Sequence, residues 1–224
     1  MTEKYTLKTL IFNCRSIRDY YKKIMLIDIL RSNEIDIALL QETFLIEEDK
    51  FYIEGYKIYR ADNQIRRKGV AILINTKLDV ECIKLATDPN GRYIKVRMKN
   101  RENGNSTTIS SIYIEPEGTI LDINEVALES DIIGGDLNKA DSGLHTKGVF
   151  HFKNIRITDE LDLKNRDILD HPILIGETDF ATWKIPEKEK IIILDKEKVL
   201  INNEQINELS KDRTLKIKFI NPHK

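Results

Sequence analysis

Long apolar runs are missing from this chain of 224 residues: nothing approaches the roughly 18 consecutive apolar residues that a membrane-spanning helix requires. The opening segment MTEKYTLKTLIFN is interrupted by Lys8, so neither a secretory leader nor a membrane span is expected, and the chain reads as intracellular. Cysteine is scarce as well. The 2 that occur, Cys14 and Cys82, are isolated and lack CxxC spacing, which excludes a disulfide framework or a zinc site and suits a reducing compartment. Both read as small core hydrophobes. Excess charge of either sign is also absent, with 36 Lys and Arg against 37 Asp and Glu. That excludes a basic module that coats nucleic acid, and leaves any phosphate binding to local clusters or to a metal. No internal repeat or low-complexity tract is visible.

What remains has the composition of a folding chain, 41% apolar and 33% charged. Its length suits one α/β domain, assigned to residues 1–186, with 187–224 as an extension or a linker to a further domain. Residues 7–13 (LKTLIFN) predict a buried strand. Ile17, Ile24, Ile27 and Leu30, with Tyr20 and Tyr21, recur at helical spacing and predict an amphipathic helix. Ile35–Leu40 predicts a central strand buried on both faces. Strands follow at 56–60 and 69–74, joined by a loop carrying Arg66, Arg67 and Lys68, then at 78–85, 93–98 and 107–114, with turn chemistry at DPNG and ENGN. A short helix is expected in 119–129, and strands at 131–135 and 168–175. Beyond residue 186, Ile191–Leu194 and Val199–Ile201 would pair as a hairpin, and Asn203 would cap a short helix.

Four apolar runs end in carboxylate, amide or imidazole: Asn13, Gln41-Glu42, Asp136-x-Asn138 and Asp170-His171. If the strands lie side by side, those ends converge on one rim. Such a rim suits hydrolysis of a phosphodiester, which needs a divalent cation, a base for water and donors for the charge that develops on phosphorus. Carboxylates at Glu42 and Asp170 suit Mg²⁺ (or Mn²⁺), Asp136 can take a proton from water, Asn13 and Asn138 can orient the phosphate, and His171 can supply a proton.

The ordered segments TLIFN (9–13), QET (41–43), IY (112–113), GDLN (135–138) and DHPI (170–173) resemble the motif set of the endonuclease-exonuclease-phosphatase superfamily, which includes DNase I, exonuclease III and the apurinic/apyrimidinic endonucleases. Within it, Asn13-Cys14-Arg15-Ser16 is similar to the start of endonuclease domains from non-LTR retrotransposons. The resemblance implies a DNase I-like, four-layered α/β sandwich of two packed mixed β-sheets flanked by helices. It also implies a Mg²⁺-dependent cleavage of DNA to 5′-phosphate and 3′-hydroxyl ends, nicking a target for a reverse transcriptase in the same polyprotein. By that resemblance Glu42 is the metal ligand, Tyr113 contacts phosphate, Asp136 and Asn138 activate and orient water, and His171 is the catalytic histidine. Arg15, Ser16, Thr43, Lys139, Arg66 and Arg67 are expected along the nucleic acid, with a monomeric domain acting in the nucleus. Repair of abasic sites, 3′ exonuclease action, or a weakened member that only binds nucleic acid are the alternatives.

The chain departs from the motif set between Asn138 and Asp170. This short stretch should hold a strand bearing an aspartate for the histidine, and Gly148-Val149-Phe150-His151-Phe152 offers His151 but no acid. Asp141, Asp159 and Asp162 are the substitutes. Leu169 stands where a serine is usual. Taken singly, Asp136-Leu137-Asn138 is also a turn with Asx chemistry, Arg15 and Ser16 also cap a helix, Tyr113 also packs a strand, and the Arg66 loop is also a solvated basic turn.

Overall fold

A computed structural model describes residues 5–117, 128–138, 144–147, 149–161, 171–180, 190–195 and 215–220. The chain forms two compact units, residues 1–183 and 184–224.

In the first unit two six-stranded sheets form, their central strands from alternating or continuous apolar runs. The first holds β1 (Tyr5–Asn13), β2 (Ile37–Gln41), β3 (Tyr56–Ala61), β4 (Val70–Asn75), β11 (Arg156–Leu161) and β12 (Ile173–Phe180), in the order β11-β12-β1-β2-β4-β3. The second holds β5 (Val80–Thr87), β6 (Tyr93–Asn100), β7 (Ser106–Tyr113), β8 (Ile132–Asp136), β9 (His145–Lys147) and β10 (Phe150–Lys153), in the order β5-β6-β7-β8-β10-β9. Each sheet has a parallel pair at its centre, β1 with β2 and β7 with β8, and antiparallel neighbours around it.

The period of two along a strand sorts the side chains. Leu7 and Ile11 of β1, Ile37 and Leu39 of β2, Ile109 of β7, Ile132 of β8 and Phe150 and Phe152 of β10 meet in the core between the sheets. Leu10, Phe12, Ala38 and Leu40 face the other way and pack beneath helix α1 (Tyr20–Ser32) through Leu26, Ile29 and Leu30. Burying each such side chain is worth about 1.5–3 kcal/mol relative to exposure, so the two apolar faces of β2 hold helix and sheets together. The outer face of the second sheet buries Tyr93, Ile112, Ile114, Ile133 and Leu137. Two mixed sheets packed face to face give the expected sandwich, with α1 as one outer layer; the helix expected in 119–129 falls almost wholly outside the described residues.

Several expectations are corrected. Helix α1 starts at Tyr20, capped by Asp19, whose carboxylate accepts from the backbone of Tyr21 at 2.8 Å and Lys22 at 3.1 Å. Arg15 and Ser16 therefore do not cap it. Its buried stripe is Leu26, Ile29 and Leu30, whereas Tyr20, Tyr21 and Ile24 are exposed and Ile17 is buried ahead of the helix. Strands β9 and β11 were not expected; β9 and most of β11 are exposed, so neither carries a strong apolar pattern. Cys14 is buried, and burial pushes its thiol up, but Cys82 is only half-buried.

The second unit contains β13 (Lys190–Asp195) and β14 (Leu215–Ile220), paired in parallel with Lys190 opposite Leu215. A parallel pair needs a crossover rather than a tight turn, so β13 is not paired by the expected short hairpin. Residues 199–201 and Asn203 lie outside the described residues.

Candidate active site

The C-terminal ends of the two parallel pairs face each other across the sandwich. Asn13 is in register with Gln41 at the end of β1 and β2, and Tyr113 with Asp136 at the end of β7 and β8. All four continue the rows that face the opposite sheet. Gln41 ties the two halves together, its Nε2 donating to Ser111 Oγ at 3.0 Å while Ser111 donates to the carbonyl of Leu40 at 3.0 Å. This tie was not foreseen from the sequence; its only signal there is a polar residue in each of two inward-facing rows.

Asn13 is the centre of the constellation. Its Nδ2 donates to Glu42 Oε1 at 2.8 Å and to Asp136 Oδ2 at 2.9 Å, while its Oδ1 accepts from the backbone of Arg15 at 3.2 Å. Both amide protons are thus engaged by carboxylates, so Asn13 spaces the two acids instead of reaching toward a phosphate. The Tyr113 hydroxyl donates to Glu42 as well, and burial together with the Glu42 charge pushes its ionisation up. Burial likewise raises the Asp136 carboxyl, with the Glu42 charge adding to the rise and the Asn13 bond, His171 and the Asn138 amide opposing it.

Asp136-Leu137-Asn138 does form an Asx turn: the Asn138 backbone donates to Asp136 Oδ1 at 3.2 Å, and Asn138 Nδ2 donates to the carbonyl of Ile114 at 2.8 Å. Leu137 is buried beneath it. Left-handed backbone recurs around the rim, with φ of 37° at Arg15, 79° at Ser16, 50° at Glu42 and 49° at Asn138. Non-glycine residues hold such angles only where their surroundings fix them; the same conformation also occurs at Glu34, Phe44, Arg66 and Asn154.

His171 is half-buried two residues ahead of β12 and packs edge-on against Phe150, the ring centroids 6.2 Å apart and the planes at 78°. Phe150 is in register with Asp136 on the neighbouring strand and fills the inward position beside it. Asp136 lies close enough for the His171 charge to oppose the rise of its carboxyl. His151 points to the other face, its Nδ1 near the carbonyl of Val149 at 3.1 Å. Asp159 is exposed on β11, so it does not serve His171; Asp141, Asp162, Asp170 and Lys139 lie outside the described residues.

The residues expected along nucleic acid divide. Arg15 is exposed and Ser16 half-buried beside the site, and Arg67 is exposed. Arg66 is committed to Asp49 at 2.5 Å, and Lys68 is paired with Glu115. Thr43 is corrected: it is fully buried against Gly69 and cannot touch a ligand.

No family model matches the chain. Among solved structures it is similar to the endonuclease domain of TRAS1, a telomere-specific non-LTR retrotransposon, at 16% identity and a TM-score of 0.57 over 80% of this chain and 100% of that one. A 3′ phosphatase, NExo from Neisseria, solved with a product DNA hairpin, is 17% identical with a TM-score of 0.51 over 78% and 100%. An endonuclease/exonuclease/phosphatase family protein from Leptotrichia buccalis is 14% identical with a TM-score of 0.50 over 78% and 100%. At these identities the likeness establishes the fold.

Proposed function

We propose that this chain, whose fold is that of the endonuclease-exonuclease-phosphatase superfamily, is a phosphodiesterase that nicks DNA with Mg²⁺ (or Mn²⁺) and leaves 5′-phosphate and 3′-hydroxyl ends. The observation that carries the reading is the Asn13 carboxamide bridging Glu42 and Asp136 beside Tyr113. Two carboxylates held close by a single neutral amide repel each other, and an oxygen-only set of this kind favours a hard divalent cation. Among the described residues no cluster of three or more metal-ligating side chains forms a cage. Mg²⁺ needs none, since it is held by one or two carboxylates and waters. Glu42 would hold it, with Asp170 as the second carboxylate. Bound there, the cation would neutralise charge on the phosphoryl oxygens.

The chain's own groups account for the rest. Ionised Asp136 accepts a proton from water, whose oxygen bonds to phosphorus as the P–O3′ bond breaks, and the departing O3′ takes up a proton. His171 supplies that proton or hydrogen-bonds the charge that develops on phosphorus. Asn138 fixes Asp136 through its backbone N–H. The likeness to the endonuclease domain of a non-LTR retrotransposon supports nicking as the reaction; target nicking in the nucleus by a monomeric domain, with the exposed 3′-hydroxyl priming a reverse transcriptase in the same polyprotein, is the task this reading assigns.

The test offers supercoiled plasmid, an abasic-site duplex and a lipid phosphodiester to the protein with Mg²⁺, Mn²⁺ or EDTA. Nicking of plasmid only with cation supports the reading. Preference for the abasic duplex replaces it with the repair alternative, and turnover of lipid alone overturns DNA as substrate. A second reading, a weakened member that binds nucleic acid, is favoured by Phe150 standing beside His171 where an acid would support it; binding without turnover would select it.

A further inference from the structure

We infer that Tyr20 and Tyr21 form a stacking platform for an unpaired base of the nucleic-acid strand, so that the preferred substrate has a single-stranded or splayed segment beside the cleaved bond. Tyr20 is 70% and Tyr21 74% exposed, and with Ile24 at 46% they make one apolar face on α1, since Ile24 stands four residues after Tyr20 and three after Tyr21 and so neighbours both on the helix surface. Scattered exposed apolar side chains are ordinary, but three adjoining ones on a helix whose core contacts come from Leu26, Ile29 and Leu30 serve no packing purpose. The two rings lie edge to face, centroids 6.0 Å apart and planes at 72°, leaving a ring face open to solvent.

The patch is tied to the candidate active site. Lys22, next in the chain, donates from Nζ to the carbonyls of Arg15 at 2.6 Å and Cys14 at 3.2 Å, and the Arg15 backbone in turn donates to Asn13. The flanking charge is cationic on balance: Arg15, Arg18, Lys22 and Lys23 stand against Asp19, which caps the helix, and Asp49, which pairs with Arg18 at 3.8 Å, while Lys23 lies over Phe51. Aromatic faces amid cations fit bases with their phosphates, since a π-face stacks on any base while arginine and lysine neutralise the backbone. An apolar protein partner would find less to match in that surround. The inference rests on the phosphodiesterase reading for its choice of nucleic acid as ligand.

The test measures fluorescence anisotropy of labelled oligo-dT and of a fully paired hairpin of equal charge in EDTA, for the full chain, Tyr20→Ala/Tyr21→Ala, Tyr20→Phe/Tyr21→Phe and, as control, the exposed Ile83→Ala on β5. Loss of stacking should weaken oligo-dT binding about tenfold or more in the alanine pair, with less than about twofold change on the hairpin and near-parental binding in the phenylalanine pair and the control. Equal loss on both probes, or no loss, overturns the platform while leaving the phosphodiesterase reading intact. A dimer of the parent that the alanine pair dissolves, with unchanged oligo-dT binding, assigns the patch to self-association and overturns it too. A parent that neither binds either probe nor nicks plasmid overturns the phosphodiesterase reading and the platform with it.

Discussion

Asn13 and Asp136, 123 residues apart in sequence and on different sheets, meet in a 2.9 Å hydrogen bond that spans the sandwich. The other proton of the same amide goes to Glu42, so one neutral side chain sets the spacing of two acids. Asn13→Ala leaves both carboxylates short of a donor, each unmade bond costing about 1–3 kcal/mol if the group stays buried. The expected result is a melting temperature lower by several degrees and plasmid nicking reduced at least about tenfold. Asn13→Asp adds a third carboxylate; it should melt lower still in EDTA and recover part of the loss with Mg²⁺. Calorimetry with and without cation checks both.

Stability should depend on pH through Asp136. Burial raises its carboxyl, so the folded chain keeps the proton to higher pH than the unfolded chain, whose carboxyl titrates near 3.8. Ionising it therefore costs folding stability. The cost is absent below the unfolded value, grows as pH rises toward the folded value, and is fully present above it. Asp136→Asn should raise the melting temperature of the metal-free protein at neutral pH, with a gain that fades as the pH falls to about 4. A gain of equal size at both ends would contradict this.

The contact between Phe150 and His171 gives a third expectation. An edge-to-face aromatic pair is worth about 0.5–1.5 kcal/mol, and Phe150 is also fully buried in the core between the sheets. Phe150→Leu should cost about 1–2 kcal/mol of stability and lower kcat severalfold with little change in KM, because the histidine ring loses its support while the strand ends that bind substrate stay in place. A change confined to KM would place His171 outside the chemistry.

Gly69 carries a further prediction. Its φ is 101°, and a Cβ added there would fall only 2.4 Å from Thr43 Oγ1, so the position has no room for a side chain. Gly69→Ala should destabilise by about 2 kcal/mol or more. Adding Thr43→Ala should return only part of that, since the clash goes but the backbone strain stays; full recovery on thermal denaturation would show that strain contributes nothing.

Much of this arrangement is legible in the sequence because the strands that carry it are apolar runs with polar ends. Ile35–Leu40 announces a strand buried on both faces, and Asn13, Glu42 and Asp136 each stand where such a run meets the rim. The one-residue alternation also puts Tyr113 on the inward row. What is illegible depends on partners far away in the chain. Arg156–Leu161 reads as charged surface and becomes a strand only because β12 offers it an edge. The helix stripe misleads because Tyr20 and Tyr21 keep the spacing of a buried face without a sheet beneath them. That Asn13 would spend both amide protons on carboxylates, and that Phe150 rather than an acid would meet His171, are facts of side-chain geometry that no spacing rule contains.

In the proposed function Glu42 and His171 act on a phosphodiester within one site. Plasmid nicking with Mg²⁺ by the parent chain, Glu42→Ala and His171→Ala, alongside their melting temperatures, tests it most directly. The expected result is nicking by the parent, loss of at least about a hundredfold in each variant, and melting temperatures within a few degrees of the parent. Unchanged nicking in both variants, with the folds intact, would contradict it.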